Sequence, residues 1–218
     1  SQNLLRNLKY YQRKGKDLEA FIQQIDTLMK RIGQTTTVNN LMGIEGMIHR
    51  IYYSSWQNIF NKDIDFSKRV RRPPDNMVNT LISFLNTLMY TTCLSEIYVT
   101  QLNPTISYLH STTDRRFSLC LDVSEVFKPL IVDRLIFALI NKGIVGENDF
   151  DKKSNFCFLK SNAKQKIVRE YDSYLKKKIH HRTLHREVSY RRLIRLECYK
   201  LIRSLVEGEA YEPFKIWW

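Results

Sequence analysis

The sequence predicts a mainly α-helical fold, and three observations support this prediction. Apolar residues recur at helical spacing along most of the 218 residues, and strand-like sequence is confined to one short stretch. The chain contains only 7 Gly and 5 Pro, which leaves little room for long flexible linkers. Its 43% hydrophobic content is enough for a sizeable core. We expect a helical or linker segment over residues 1–40 and a larger, multi-helical domain over residues 41–218.

The N-terminal part of the chain shows two helical regions separated by a loop. Apolar residues follow helical spacing over residues 3–31, where Gly15 is a candidate break. The sequence QTTTVNN at residues 34–40 is typical of a loop and ends in residues that cap helices well. The apolar pattern of residues 41–60 then predicts one long helix.

The middle of the chain is organised by a proline pair. Residues 61–74 form a charged loop whose last two residues are prolines, which cannot continue a helix. Asp75 or Asn76 can then cap a strongly apolar helix that is predicted over residues 76–99. Residues 101–116 are predicted to form a loop or a short helix.

The C-terminal half is predicted to be helical apart from one short strand. A helix is expected from about residue 124 to residue 141, and Pro129 would kink it or delay its start. Residues 143–160 are rich in Gly and Asp and end in the strand-like sequence FCFLK. From residue 162 to about residue 206 the pattern is helical again.

Two acids, Asp122 and Glu125, interrupt the apolar stretch FSLCLDVSEVFKPLIVDRLIF at residues 117–137. In one interpretation Asp122 caps a helix N-terminus and Glu125 closes a capping box. In the other, two acids at i and i+3 share one helix face about 5–6 Å apart and hold a divalent metal ion. The local pattern favours the cap, so the choice depends on the rest of the chain.

The formal net charge of +13 indicates a polyanionic partner or an anionic surface. Ten Lys or Arg residues lie between positions 176 and 203, where only Glu187 and Glu197 oppose them. Their interleaving with aromatic and aliphatic residues predicts an amphipathic helix with a cationic outer face. This excess favours phosphate contact over a merely solvated surface, and such binding weakens steeply with salt. Two smaller basic clusters are Lys68, Arg69, Arg71 and Arg72, and Lys9, Arg13, Lys14 and Lys16.

The residue pattern disfavours several classes of protein. The four cysteines show no CxxC spacing, so we expect no disulfide framework or zinc site but a cytoplasmic protein with buried, reduced thiols. No apolar run approaches the roughly 18 residues needed to span a membrane. Residues 176–203 have too few large apolar residues on an exposed face for a helix that lies on a membrane. The chain shows neither zinc-finger spacing nor an RNA-recognition motif, so base-specific reading is not implied.

Two further places could carry chemistry. Glu45 stands between Gly43 and Gly46 inside an apolar helical pattern, although glycine in a helix interior costs about 1 kcal/mol relative to Ala. The pair of glycines indicates either the close approach of a backbone or ligand, or a helix-packing notch beside a surface glutamate. His49 follows at i+4 and could join Glu45 in a site or serve as its ion-pair partner. His110, at the end of a loop, would on its own more often be a structural residue.

Four motifs, in order along the chain, resemble the helical C-terminal domain of the universal CRISPR adaptation integrase, the DNA endonuclease that inserts new spacers into CRISPR arrays. The sequence GIEGMIHRIYYSSW resembles its first acidic motif, and RRPPDNMVNTLISFLNTLMYTTCLSEI resembles its R-x-x-P-P-x-D-x-x-N helix. LNPTISYLH resembles its histidine loop, and SLCLDVSEVFKPLIVDRLIF resembles its last acidic motif. The tail from His180 onwards is similar to the subtype found with type I-B systems. The resemblance extends from about residue 20 to the end of the chain.

The resemblance implies a divalent metal site. Glu45, His110 and Glu125 match the metal ligands of the family, and Asp122 matches a neighbouring acid that supports the site. The implied cofactor is Mg²⁺ or Mn²⁺, because carboxylates suit Mg²⁺ and one imidazole makes the site more tolerant of Mn²⁺. A metal role is therefore favoured for Glu125, and a helix cap at Asp122 remains compatible with it.

The resemblance also implies partners and a further domain. Members of the family have an N-terminal β domain that contributes to homodimer formation, whereas this chain starts near the linker with Ser1, so we expect a fragment or a processed product. The implied partners are double-stranded and branched DNA and a small ferredoxin-like CRISPR adaptation protein. The chain departs from the family pattern at Gln101 and Ser107, where glycine is usual, and in having Glu125 where some members have Asp.

The reaction expected from the resemblance is attack by a DNA 3′-hydroxyl on a phosphodiester of the repeat, with water as the nucleophile in a nuclease assay. No covalent Ser or Tyr nucleophile is required, and Tyr52 and Tyr53 are expected to pack. Two alternatives stay open: a transposon-borne relative that integrates its own element, and a basic helical DNA-binding module without catalytic activity. The residues predicted to contact the DNA backbone are Arg69, Arg71, Arg72, Arg182, Arg186 and Arg191.

Overall fold

The computed structural model describes residues 1–64, 66–109, 116–153 and 156–217. Most of these residues are helical, which confirms the predicted mainly α fold. They form two compact units. The first consists of Ser1–Ser83, Ile136–Lys160 and Ile216–Trp218, and the second consists of Phe84–Leu135 and Ser161–Lys215. The sequence-based division at residue 40 stays a prediction.

The elements follow one another in a mainly helical order. The described helices are α1 (Gln2–Gln12), α2 (Glu19–Ile32), α3 (Val38–Ser54), α4 (Trp56–Ile59), α5 (Met77–Tyr98), α6 (Ser118–Lys128), α7 (Arg134–Asn141), α8 (Ser161–Leu175) and α9 (Tyr190–Glu207). The described strands form two antiparallel hairpins, β1 (Phe150–Lys153) with β2 (Phe156–Leu159) and β3 (Lys178–His181) with β4 (Arg186–Ser189). A π-helical turn, Pro129–Asp133, joins α6 to α7, and a 3₁₀ turn, Glu147–Asp149, precedes β1.

The first helices of the chain begin and end where local chemistry favours it. The predicted break at Gly15 is confirmed, because its φ of 85° lies in the left-handed region that glycine adopts without strain. Helix α2 has Glu19 in its first turn and basic residues in its last turn, which complements the helix dipole. Helix α3 starts at Val38, three residues before the predicted position, because the hydroxyl of Thr37 accepts a hydrogen bond from the backbone amide of Asn40.

An aromatic cluster forms the centre of the first unit. The buried ring of Trp56 packs against Phe137 at a centroid distance of 4.7 Å and against Phe66 at 5.6 Å. Tyr52 is fully buried, and its hydroxyl accepts a hydrogen bond of 2.8 Å from the side-chain amide of Asn7. The expectation that Tyr52 packs rather than reacts is therefore confirmed.

The side chain of Asn79 organises the proline-containing loop that precedes α5. Its carbonyl oxygen accepts the backbone amide of Val70 at 3.1 Å, and its amide group donates to the carbonyl of Lys68 and to the carboxylate of Asp75. Asn76 caps α5, because its side-chain oxygen accepts the backbone amide of Asn79 at 2.9 Å. The cap predicted at residue 75 or 76 is thus confirmed, and the loop is tied to the first turn of α5.

Helix α6 of the second unit begins at Ser118, about six residues earlier than predicted. The amide of Leu119 donates to the carbonyl of Pro104, and the hydroxyl of Ser118 donates to the carbonyl of Thr105. The first turn of the helix thus gains partners outside the helix, so it needs no capping box. The prediction that Asp122 caps a helix N-terminus is wrong, since Asp122 lies inside α6. Pro129 starts the π-helical turn between α6 and α7, and so does not delay the start of the helical region.

The helix predicted from residue 162 to residue 206 is wrong in its middle, where the chain forms the hairpin β3–β4. Ile179 pairs with Val188 across the two strands. The backbone amide of Leu184 donates to the imidazole of His181, which closes the turn, and His185 has a positive φ of 48°. The cationic segment is therefore a hairpin followed by a helix, and not one amphipathic helix.

The buried carboxylate of Glu197 fixes the chain segment that follows α9 in the second unit. One of its oxygens accepts the hydroxyl of Tyr211 and the backbone amide of Phe214, the latter at 2.7 Å. Its other oxygen lies 2.6 Å from the ammonium group of Lys200. The ring of Phe214 then stacks on Phe127 at 5.0 Å.

The predictions about the cysteines and about membrane-spanning helices can be compared with the structure. All four cysteines are free and buried, as expected for reduced structural thiols. In the part of the chain that the structure describes, none of the helices has the length and apolar character needed to cross a membrane.

Candidate active site

Glu45 lies in the middle of α3 on a face that is open. Its side chain is 23% exposed, and both neighbouring glycines are exposed. A Cβ atom added at Gly43 or Gly46 would meet no atom of the described residues within 4 Å. No described residue packs into this notch, so the helix-packing interpretation finds no support among them. The approach of a ligand to Glu45 stays a prediction.

His49 is the neighbour of Glu45 on the same helix. Its Nε2 atom lies 3.6 Å from Oε1 of Glu45, and its ring stacks on Tyr53 at a centroid distance of 5.9 Å. The i, i+4 spacing accounts for the first contact. The geometry places His49 as a partner of the carboxylate, where its imidazole can hold the orientation of Glu45.

Glu125 lies on α6, one turn before the end of the helix. Its side chain is 27% exposed, and its Oε1 atom lies 3.8 Å from the ammonium group of Lys128. The carboxylate thus has an ion-pair partner on its own helix and stays partly open to solvent. Metal binding by Glu125 stays a prediction.

Asp122, one turn before Glu125, holds the loop that leads to His110. Its Oδ2 atom accepts the backbone amide of Tyr108 at 2.7 Å and that of Leu109 at 3.1 Å. Charge-assisted hydrogen bonds of this kind are stronger than neutral ones. At least one oxygen of Asp122 thus anchors backbone, which suits a supporting role better than direct metal ligation.

The three predicted metal ligands can be compared with the structure only in part. His110 lies outside the described residues, while Glu45 belongs to the first unit and Glu125 to the second. Over residues 1–64, 66–109, 116–153 and 156–217, no group of three or more His, Cys, Asp and Glu side chains is placed to hold a metal ion. That finding does not include His110. Two partly open carboxylates and one imidazole form a donor set that fits Mg²⁺ or Mn²⁺.

Arg69, a predicted DNA contact, makes several hydrogen bonds within the first unit. Its guanidinium donates to the carbonyl and the side-chain oxygen of Asn79, at 3.2 and 3.0 Å, and to the hydroxyl of Ser83 at 2.9 Å. Burial lowers the pKa of Arg69, and the nearby Arg71 adds to this effect. These bonds fix the arginine on α5, whereas Arg71 and Arg72 are exposed in the loop.

The other predicted DNA contacts lie in the second unit. Arg182 and Arg186 are exposed in the turn and the second strand of the hairpin β3–β4. Arg191, in the first turn of α9, lies 3.8 Å from the buried carboxylate of Glu96 and is 48% exposed. Arg195, one turn later, donates to the same carboxylate at 2.7 Å, and this hydrogen bond raises the pKa of Arg195. Arg182, Arg186 and Arg191 are thus all exposed, and Arg191 has a buried carboxylate as its neighbour.

Sequence reasoning missed the role of Lys128 and the backbone amides of Tyr108 and Leu109. A lysine at i+3 from Glu125 was a readable signal for an ion pair. The amides had no signal, because any residue supplies a backbone N–H and only the fold shows which carboxylate receives it.

A sequence profile described as "CRISPR associated protein Cas1" matches residues 1–173 of the chain. The chain belongs to this family. The membership confirms the resemblance that four ordered motifs indicated. The curated CRISPR-associated endonuclease Cas1 of Fusobacterium nucleatum is 54% identical over 218 residues, which are 100% of this chain and 64% of that protein.

Solved structures agree with the Cas1 assignment. A CAS1 protein from Thermotoga maritima matches 96% of this chain and 64% of its own chain, with 38% identity and a TM-score of 0.84. A casposase bound to integration product matches 95% of this chain and 64% of its own, with 23% identity and a TM-score of 0.75, which shows a shared fold. The chain thus spans less than two thirds of the length of the relatives it matches.

Proposed function

We propose that this Cas1-family chain is the helical part of a metal-dependent DNA endonuclease and integrase that inserts new spacers into a CRISPR array, in antiviral defence. The observation that carries the proposal is the double role of α6. The helix bears Glu125, and its Asp122 anchors the amides of Tyr108 and Leu109, directly before His110. One helix therefore presents one predicted ligand and holds the approach to another.

The proposed metal ligands are Glu45, His110 and Glu125, with Asp122 in a supporting position. A bound Mg²⁺ or Mn²⁺ would supply charge stabilisation to the phosphate oxygens and activate the attacking oxygen. Asp122 holds the backbone of Tyr108 and Leu109, which precede His110 in the sequence. His49 lies 3.6 Å from the carboxylate of Glu45, and Lys128 lies 3.8 Å from that of Glu125.

The cationic residues of the chain bind and orient the DNA in this proposal. Each lysine or arginine that neutralises a phosphate releases a counterion, which makes binding strongly dependent on salt. Arg182 and Arg186 on the hairpin, together with the exposed Arg71 and Arg72, are the main backbone contacts. Arg191 contributes in part because Glu96 shares its charge.

The partners proposed for the complete protein follow from the family. They are double-stranded and branched DNA, a second copy of the protein in a homodimer, and a small ferredoxin-like CRISPR adaptation partner. We place the protein in the cytoplasm, where reduced cysteines are expected. The chain supplies the helical part, and the homodimer contact is expected to involve the family's β domain.

The proposal is tested by measuring Mn²⁺-dependent cleavage of a branched DNA by the wild-type chain and by Glu45→Gln. The variant keeps the size of the side chain and removes the charge, so we expect at least a hundredfold loss of cleavage. Glu147→Gln, an equivalent change at an exposed acid, serves as the matched control and should cleave at the wild-type rate. Equal cleavage by all three proteins would remove the enzymatic proposal and leave a basic DNA-binding module.

A transposon-borne relative is the second enzymatic candidate. It would join the ends of its own element, whereas the proposed integrase joins short spacer DNA at a CRISPR repeat. Integration assays that offer both kinds of DNA separate the two, because a preference for transposon ends would overturn the CRISPR assignment and leave the metal site in place.

A further inference from the structure

A cationic pocket lies in the first unit, between α1 and the end of the described chain. It has a volume of about 390 Å³, within the range of sites for small ligands. Its lining includes three cations, and its described lining residues include no acid. The lining residues are Arg6, Lys9, Gln12, Arg13, Ile216 and Trp217. None of them belongs to the proposed metal site or to the proposed DNA contacts.

The three cations share one face of α1. Arg6, Lys9 and Arg13 stand at i, i+3 and i+7, which places them along one side of the helix. The opposite side is buried through residues such as Leu4 and Leu8. All three cations are exposed, and Lys9 lies 3.8 Å from Asp26, an exposed pair that adds little binding energy of its own. The helix therefore presents a stripe of positive charge to the pocket.

The main chain before Trp217 is fixed to α1 by two hydrogen bonds. The amide of Ile216 donates to the side-chain oxygen of Asn3 at 2.9 Å, and the guanidinium of Arg6 donates to the carbonyl of Ile216. Ile216 and Asn3 are both buried. These bonds hold the chain so that Trp217 lines the pocket beside the cationic stripe.

We infer that this pocket binds the terminal nucleotides of a single-stranded DNA end, with a nucleobase on Trp217 and phosphates on Lys9 and Arg13. Arginine and lysine are the usual phosphate partners, and Arg also gives paired hydrogen bonds to phosphate oxygens. An aromatic ring next to such cations is the combination that proteins use for unpaired bases, because every base offers a flat face for stacking. A base inside a duplex has no free face, and the base pair at a blunt end is held rigidly by its partner strand, so we expect the pocket to bind single strands more tightly than blunt duplex.

A nucleotide would use more of the residues that line the pocket than an acidic peptide would. An acidic peptide would use the cations of the pocket, whereas a nucleotide would contact both the cations and the indole ring of Trp217. A nucleotide uses both features at once. The inference goes beyond the proposed enzymatic activity, and it is tested without metal so that the metal site has no part in the result.

The test measures binding of a fluorescein-labelled single-stranded oligothymidine to the full chain in EDTA by fluorescence anisotropy. We expect the Lys9→Ala/Arg13→Ala double variant to bind at least tenfold more weakly and Trp217→Leu to bind about tenfold more weakly. Lys30→Ala/Arg31→Ala removes the same charge from exposed positions of α2 outside the pocket and should change the dissociation constant less than twofold. Thermal melting of each variant checks that the fold is intact.

A second measurement locates the base directly. An oligonucleotide with a terminal 5-iodouracil should crosslink to Trp217 under long-wavelength ultraviolet light, and mass spectrometry of the peptides should identify that residue. The inference is overturned if the pocket variants bind like the α2 control, or if blunt duplex binds as tightly as the single strand. It is also overturned if a polyglutamate peptide displaces the oligonucleotide from the wild-type chain but not from the Lys9→Ala/Arg13→Ala variant. None of these results depends on cleavage, so the proposed enzymatic activity is tested separately by Glu45→Gln.

Discussion

The carboxylate of Asp122 lies 2.7 Å from the backbone nitrogen of Tyr108, and the same oxygen accepts the amide of Leu109 at 3.1 Å. The contact joins the interior of α6 to the loop before His110. The side chain of Asp122 thus has backbone partners outside its own helix. We expect Asp122 to act as a positioning residue.

This relationship predicts different effects for two substitutions of Asp122. Asp122→Ala removes the anchor, so we expect cleavage to fall about 10–100-fold and the Mn²⁺ concentration for half-maximal activity to rise. Asp122→Asn keeps a carbonyl oxygen for the same amides and should retain most of the activity. The measurement is the cleavage rate over a series of Mn²⁺ concentrations. An unchanged metal requirement in Asp122→Ala would contradict a positioning role.

Arg69 is expected to matter more for stability than for DNA contact. Arg69→Ala removes the hydrogen bonds that the guanidinium donates to Asn79 and Ser83, which costs about 1–3 kcal/mol of unfolding free energy. Arg71→Ala, in the exposed part of the same loop, should change the unfolding free energy by less than about 0.5 kcal/mol. Urea unfolding compares the two. If Arg69→Ala weakens DNA binding at unchanged stability, the structural role assigned to its guanidinium is wrong.

The pair of Glu96 and Arg195 provides a test of how burial controls an ion pair. The nitrogen and oxygen lie 2.7 Å apart, as they do in the pair of Arg203 and Glu207, but the side chain of Glu96 is 3% exposed and that of Glu207 is 48% exposed. Arg195→Met should cost about 3 kcal/mol, because it removes the nearest partner of a buried carboxylate. Arg203→Met should cost less than about 1 kcal/mol. Similar losses of unfolding free energy in Arg195→Met and Arg203→Met would show that burial does not determine how much an ion pair stabilises the fold.

The thiols are expected to be inert in the folded protein. Burial raises the pKa of Cys120 and of Cys198 to about 12, far above that of a free thiol. Burial also raises the pKa of Cys93. At pH 8 the thiols of Cys93, Cys120 and Cys198 are neutral and shielded. An aromatic disulfide reagent should titrate no cysteine in the native chain and all four cysteines after unfolding in guanidinium. Rapid reaction of one thiol in the native state would show that a core region opens.

The sequence was sufficient for the elements with strong local signals. Helix α5 follows the predicted range closely, because its apolar run is preceded by prolines and a capping asparagine. Gly15 marked the boundary between α1 and α2, since few other residues adopt its backbone conformation. Strand β2 was also foreseen, because its sequence FCFL is a short apolar run with two phenylalanines.

The hairpin β3–β4 shows why other elements escaped prediction. Its apolar cross-strand partners are the half-buried Ile179 and the buried Val188, too few to establish an alternating pattern. Its turn uses His185 at a positive φ, where the usual signal is Gly or Asn. The early start of α6 depends on the carbonyl of Pro104, a long-range partner that local sequence does not encode.

For the candidate site, too, the sequence predicted some features and the structure was needed for others. Its residues were identified by resemblance, because Glu45 and Glu125 lie 80 positions apart and no local rule links them. The anchoring role of Asp122 required coordinates, since the local pattern of the i, i+3 acids favoured a helix cap. The predicted ligand His110 stays a prediction.

The most direct test of the proposed metal site is the binding of Mn²⁺ to the full chain, followed by electron paramagnetic resonance of the free ion. One Mn²⁺ per chain is expected, and each of Glu45→Gln, His110→Gln and Glu125→Gln should weaken its binding at least tenfold. Glu147→Gln, an exposed acid on the first unit, should bind the ion like the wild type. Unchanged Mn²⁺ binding in all three site variants would contradict the claim that two glutamates and a histidine hold one divalent ion.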